Sequence, residues 1–127
     1  MSAPQRVDVL REVLAICRLP PDAPIPPWAT LRPFFAVVRT HDELSIMCPA
    51  EVVPSDIHAS RNWRALMVRG PFTLDAVGIL ASLAAPLAGA GVSIMPVATF
   101  DTDYILVKDA QLPAAIDALR AAGHRVS

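Results

Sequence analysis

Val92-Ser93-Ile94-Met95-Pro96-Val97-Ala98-Thr99-Phe100-Asp101-Thr102-Asp103-Tyr104-Ile105-Leu106-Val107 reads as two β-rich runs folded about a tight turn. Val92–Phe100 is the first strand, Asp101-Thr102 the turn, and Tyr104–Val107 the second strand. Upstream, Val77, Leu80, Leu83, Ala84 and Leu87 recur at helical spacing. Pro86 lies inside that helix and should bend it, and Gly89 and Gly91 suit its stop. Before the helix, Trp63–Arg69 reads as a strand closed by Gly70-Pro71. Downstream, Asp109 can cap a second helix whose apolar face is Leu112, Ala115, Ile116, Leu119 and Ala122. Gly123 fits the position just past its end, and His124–Val126 is a short last strand. The order is strand, helix, strand, strand, helix, strand. It predicts an α+β, ferredoxin-like unit: an antiparallel four-stranded sheet with both helices on one face.

The first half reads differently. Val13–Leu19 is a strand, followed by Pro20-Pro21-Asp22-Ala23-Pro24-Ile25-Pro26-Pro27, five prolines in eight residues. Proline lacks the amide donor that a helix needs, so this run should lie extended over the surface. Phe34–Thr40 and Glu43–Cys48, separated by His41-Asp42, form a β-hairpin. Pro49–Asn62 reads as loop. The division falls near residue 62: residues 1–62 would be a reduced copy of the same unit that lacks its first helix, and residues 63–127 a full one. No internal sequence repeat supports this, and the pseudo-duplication rests on element order.

The composition narrows the function classes. Apolar residues make up 54% of 127, enough for a core rich in alanine and valine. The formal charge is −1, with no basic surplus to grip a phosphate backbone, so a nucleic-acid partner is not expected. Mean hydropathy is +0.44. The most apolar stretch, Ala76–Met95, is broken by Pro86 and three glycines, which argues against a membrane span. Arg6, Asp8, Arg11 and Glu12 stand where a signal peptide would need apolar residues, so a cytoplasmic location is expected. Cys17 and Cys48 sit in apolar strand-like runs and read as buried, reduced thiols.

Several segments resemble the ACT-domain family. Trp63-Arg64-Ala65-Leu66, Gly70-Pro71, Val77-Gly78-Ile79-Leu80-Ala81 and Ala90-Gly91-Val92-Ser93-Ile94 are similar to the second repeat of bacterial tandem-ACT proteins, as is Ala98–Val107. Cys17–Pro26 and Asp42–Ile46 resemble the first part of those proteins. More distantly, the chain is similar to the ACT repeats of eukaryotic cytosolic arginine sensors and of aspartate kinases. The resemblance covers roughly residues 13–126 and implies tandem βαββαβ units that pair side by side. It further implies an amino acid held at the seam between units, and a free-standing sensor, since the chain leaves no room for an attached catalytic domain. A homodimer is expected, because the Leu/Ala-rich helix leaves more apolar surface than so small a body buries alone.

The residues themselves offer a matching site. An amino-acid ligand needs an anion site for its carboxylate and acceptors for its ammonium. Val77, Gly78 and Ile79 fall in the first turns of the predicted helix, where free amides and the helix dipole favour a carboxylate. Gly78 admits either a close ligand approach or close packing of the helix on a strand. Asp101 and Asp103 could each accept from an ammonium or a basic side chain. Asp101 reads better as turn chemistry. Asp103 reads as ligand-binding, because the resemblance to the arginine sensors matches it to their ligand-contacting aspartate. Thr99 and Thr102 could add hydroxyl contacts. Phe100 could pack on a ligand's aliphatic stem, although a strand-end phenylalanine is more often core.

Other chemistry finds little support. His41, His58 and His124 lack the spacing of metal ligands, and His41 and His124 read as solvated. No phosphate-cradling glycine loop is present, and Ser82 and Ser93 lack a nucleophile-elbow pattern. Neither metal nor cofactor is therefore expected. Arg61, Arg64 and Arg69 read as a solvated strand edge. The leading class is a regulatory amino-acid sensor. The second is a ligand-free module of the same fold that dimerises or docks on a partner enzyme, using an exposed sheet edge. An enzyme built on Cys17 or Cys48 is the least favoured, and the chain is not expected to be an enzyme.

Overall fold

The computed structural model describes residues 4–73 and 75–127. In chain order the elements are β1 (Arg6–Leu19), β2 (Ala36–Arg39), β3 (Leu44–Pro49), β4 (Ala59–Val68), α1 (Ile79–Gly89), β5 (Ile94–Ala98), β6 (Asp103–Lys108), α2 (Leu112–Ala121) and β7 (Arg125–Val126). The class is α+β, and β4-α1-β5-β6-α2-β7 is the ferredoxin-like order that the sequence implies. The residues separate into two compact units. One is Glu12–Trp63; the other joins the described residues up to Arg11 to Arg64–Ser127. This differs from a division at residue 62 because the start of β1 pairs in parallel with the last strand, Arg6 opposite Arg125 and Val7 opposite Val126.

The unit Glu12–Trp63 contains strands but no α-helix. Its strand order is β2-β3-β1-β4. The hairpin expected between Phe34 and Cys48 is present as β2 and β3, paired antiparallel with Val38 opposite Ser45. Thr40 fixes its turn, accepting from the amides of Asp42 and Glu43 at 3.1 Å each. The proline run opens with a turn at Pro21-Asp22, where Ala23 N donates to Pro20 O at 3.0 Å, and ends in a 3-10 turn, Pro27–Thr30. Arg39 holds it down, its guanidinium donating to the carbonyls of Pro21 and, at 2.8 Å, Ala23. A second 3-10 turn, Ala50–Val52, stands where a full unit would have its second helix. The core is Ala15, Cys17, Leu44, Ile46 and Cys48, closed by Ala29 and Val53. β4 begins at Ala59, inside the segment read as loop, and Arg18 N donates to His58 O just before it.

In the other unit the strand order is β7-β1-β4-β6-β5. β1 begins at Arg6, seven residues ahead of the Val13–Leu19 strand expected from the sequence. Its Val7 and Val9 alternate with charged Arg6 and Asp8, the period of a strand with one buried face. Leu83 and Leu87 of α1 and Ala115 and Leu119 of α2 share one buried cluster with Val7, Leu66, Val68, Ile105 and Val107. Both helices therefore cover the same sheet face. Each fully buried leucine contributes about 1.5–3 kcal/mol. The helices end alike: Val92 N donates to Leu87 O and Gly91 N to Ala88 O, and His124 N to Leu119 O and Gly123 N to Arg120 O.

Pro86 lies inside α1 and has no amide proton, so Ser82 O lacks its helical donor. His124 supplies one. Its Nε2 lies 3.0 Å from Ser82 O, while Nδ1 accepts from Gln5 N at 2.9 Å. A ring nitrogen that accepts from an amide carries no proton, so the proton sits on Nε2. His124 is 7% exposed. The expectation that it is solvated fails because the proline needs its proton.

The strand-edge arginines are also engaged. Arg69 pairs with Asp8 at 2.8 Å, and that carboxylate raises the guanidinium pKa above its ordinary value. Arg64 donates to Asp109 at 3.2 Å and to Leu10 O at 3.0 Å. Arg61 donates to Pro54 O at 2.9 Å.

Candidate functional site

A cavity of about 500 Å³ lies at the start of α1, within the unit that carries both helices. Three segments form its wall: the loop residues Phe72, Thr73 and Ala76, the first turn Gly78–Ala81 with Ala84, and the β5–β6 turn Ala98–Asp103. Gly78, Ile79, Thr99, Phe100 and Asp103 of the expected site thus meet at one place. Val77 does not line the cavity and is 94% exposed. Asp101, read as turn chemistry, lines it as well.

The helix end is open. Gly78 precedes it with φ +82°, a left-handed conformation that favours glycine. Gly78 has no side chain to cap the first turn, and no other described residue supplies a cap. Ser82 N is the first helical amide to find its partner, at Gly78 O, 3.0 Å away. The amides of Ile79, Leu80 and Ala81 lie before that bond and have no intrahelical acceptor. They and the dipole make this wall electropositive.

The opposite wall is acidic and braced. Ala98 pairs with Asp103 at the mouth of the hairpin, so the sheet fixes the Asp103 backbone. Within the turn, Thr99 N and Thr99 Oγ1 both donate to Thr102 O, at 2.8 and 2.9 Å. Thr102 Oγ1 donates to Val68 O and ties the turn to β4. Both threonine hydroxyl protons are thus used inside the protein. Phe72 N donates to Asp101 O at 2.6 Å, which fastens the loop to the turn. A Cβ on Gly70 would stand 2.8 Å from that same oxygen, so only glycine allows the approach. The carboxylates of Asp101 and Asp103 have no hydrogen bond or ion pair with any described residue. Phe100 is not core; it is 77% exposed beside the mouth.

Sequence reading missed Phe72, Thr73 and Ala76. Their segment has no periodicity, and its neighbour Gly70-Pro71 reads as a strand stop and as part of the family resemblance, neither of which points to a cavity wall. Among the described residues no group of His, Cys, Asp and Glu could hold a metal ion, and no helix is long and apolar enough to cross a membrane.

Comparison with known proteins places this geometry. The model of the ACT domain matches residues 58–121, the segment from β4 to the end of α2. A second model, of an N-terminal domain, matches residues 12–56. The mouse cytosolic arginine sensor for mTORC1 subunit 1 is 33% identical over 102 residues, 74% of this chain and 31% of that relative. The chain therefore spans about a third of the length of the curated relatives it matches. A crystal structure of a protein from Agobacterium tumefaciens is 35% identical, with a TM-score of 0.93 over 99% of this chain and 94% of that one. The ligand-free regulatory subunit of aspartate kinase from Thermus thermophilus shares the fold, with a TM-score of 0.68 at 13% identity over 95% of this chain and 99% of that one. With its βαββαβ order, its matched segment and these relatives, the chain belongs to the ACT-domain family.

Proposed function

We propose that this protein is a regulatory amino-acid sensor that binds its ligand in the cavity between the start of α1 and the β5–β6 turn. The observation that carries this reading is the pairing of opposite polarities across one cavity: unpaired helix amides on one wall, and the carboxylates of Asp101 and Asp103 on the other. A free amino acid has the complementary charges. Its α-carboxylate would sit on the amides of Ile79 and Leu80, and its ammonium on Asp103. Thr99 lines the same turn, and Phe100 stands ready to cover an aliphatic stem. The lining has two carboxylates and no basic side chain, which suits a ligand with a second positive charge. The relative named as an arginine sensor makes arginine the first ligand to test. The role is binding, not catalysis, and the setting is the cytoplasm.

A second copy of the chain would complete the site. Val77 and Phe100 are strongly exposed apolar side chains close to the mouth, and a twofold contact would cover them. The resemblance that suggested a ligand at a seam between ACT units supports the same arrangement. The reading as a ligand-free docking module has no observation of its own, because it leaves the open helix end and the unpaired carboxylates without a use.

A thermal-shift screen of the twenty amino acids tests the proposal. A ligand at a hundredfold excess over its Kd stabilises the native state by about 2.7 kcal/mol, a readily measured rise in Tm. Arginine or lysine should give the largest rise. Absence of a rise with any amino acid at millimolar concentration would refute the sensor reading.

A further inference from the structure

Cys17 and Cys48 take no part in the proposed site, yet the sheet brings them together. β1 and β3 pair antiparallel, with Cys17 opposite Ile46 and Cys48 opposite Ala15. Residues two apart on a strand share a face, so Cys17 and Cys48 are diagonal neighbours on one face. Both are 1% exposed and belong to the same buried cluster. The two thiols hydrogen-bond to each other, and both are unbridged.

We propose that Cys17 and Cys48 are a reversible redox pair that closes a disulfide on exposure to a two-electron oxidant such as hydrogen peroxide. Cys17 is the attacking sulfur and Cys48 the resolving one. The Cys48 thiol donates its hydrogen bond to Cys17, which favours the Cys17 thiolate and holds its pKa below the usual thiol range; burial opposes this and the Arg61 charge assists it. The same hydrogen bond raises Cys48 well above that range, with burial adding to the effect. The two sulfurs thus have the unequal acidity that the chemistry uses.

The step balances. The Cys17 thiolate attacks one peroxide oxygen, the O–O bond breaks, and hydroxide leaves to take up the proton that Cys17 released, giving water. Cys17 is then a sulfenic acid. The Cys48 sulfur attacks the Cys17 sulfur, the S–O bond breaks, and the leaving hydroxide takes the Cys48 proton as a second water. Both sulfurs are oxidised by one electron each, and the two peroxide oxygens are reduced. Diagonal neighbours across antiparallel strands lie about 7–8 Å apart at Cα, at or past the outer limit of a disulfide. Closure therefore draws β1 and β3 together under strain, and a strained bridge is easily reduced again. Burial sets the rate, since peroxide reaches the sulfurs only when the strands open.

The test uses the native full chain, reduced and then freed of reductant. It is treated with hydrogen peroxide, quenched in acid, denatured, and capped with N-ethylmaleimide before intact-mass measurement. The expected result is a monomeric species that has lost two hydrogens and takes up no maleimide. Dithiothreitol added after oxidation should restore two maleimide adducts. Cys48→Ser should stop at oxygen addition on Cys17 and never lose two hydrogens. The wild-type mass alone decides the matter, so the outcome does not depend on how well the variant folds. Two maleimide adducts persisting at peroxide doses that fully oxidise free glutathione would overturn the proposal. So would oxygen addition without bridging, or a disulfide between chains.

Discussion

His124 exists, in energetic terms, because of Pro86, and a double-mutant cycle tests this. Replacing His124 with alanine removes the donor to Ser82 O and the acceptor for Gln5 N, both at ordinary hydrogen-bond lengths. Each bond contributes about 0.5–1.5 kcal/mol net, and leaving a buried partner unsatisfied costs about 1–3 kcal/mol. Ser82 and Gln5 are only half-buried, so water recovers part of that loss, and the variant should be less stable by about 2–3 kcal/mol. Pro86→Ala gives α1 an amide at position 86 that reaches Ser82 O in the ordinary helical way. In that background Ser82 no longer depends on the imidazole. His124→Ala should then cost about 1 kcal/mol less, the share of the Ser82 bond. The assay is equilibrium urea unfolding, followed by far-UV circular dichroism, of the wild type, both single variants and the double variant. Costs that add to within about 0.3 kcal/mol would refute the compensation. Gln5 N provides a control, because Pro86→Ala does not touch it.

Asp103→Ala should weaken binding of the amino acid found by thermal shift by about 1.5–3 kcal/mol, the range for a charged hydrogen bond, or roughly ten- to a hundredfold in Kd. Asp101→Ala should weaken it only mildly; titration calorimetry of both variants separates the two roles, and equal affinity for wild type and Asp103→Ala removes Asp103 from the site. Gly70→Ala places a Cβ against a backbone oxygen that cannot swing away. It should cost about 1–3 kcal/mol in urea unfolding and also lower ligand affinity, because the Phe72–Asp101 fastening opens. Leu83→Ala removes a fully buried side chain from the sheet–helix core and should cost about 2–5 kcal/mol. Sedimentation equilibrium at micromolar concentration should give a dimer, and Phe100→Asp should shift it toward monomer.

What the sequence discloses is what lies close together along the chain. The β5–β6 hairpin and both helices follow from spacing within about ten residues, and Gly123 marks a helix end by its own conformation. The meeting of Gly78 with Asp103 follows from the order of elements, since a ferredoxin-like connection brings the start of the first helix beside the hairpin turn. Features whose cause lies far away are not legible. The N-terminal part of β1 carries Arg6, Asp8, Arg11 and Glu12, and these mask its alternation until its partners are known. His124 gives no local sign that it serves a helix 42 positions earlier. Spacing alone places Val77 on the helix, but the left-handed Gly78 stands outside it and the helix begins two residues after Val77, at Ile79. Phe72, Thr73 and Ala76 belong to a loop without period, and only the cavity reveals them.

The pairing of β1 with β7 governs the order in which the protein can be completed during synthesis. Arg125 N donates to Gln5 O, Ser127 N to Val7 O and Val9 N to Ser127 O, so the start of β1 is closed only by residues that are synthesised long after it. Until they emerge, the start of β1 has an unpaired edge, the feature that invites pairing with another chain. The hairpin of β2 and β3 and its neighbour β1 draw only on residues up to Pro49 and can assemble well before that. A nascent chain stalled before His124 should therefore resist protease across the β1–β3 segment while the β4–α1 segment is still cut. Extension of the chain through Ser127 should protect the β4–α1 segment as well, because β7 can then pair with the start of β1.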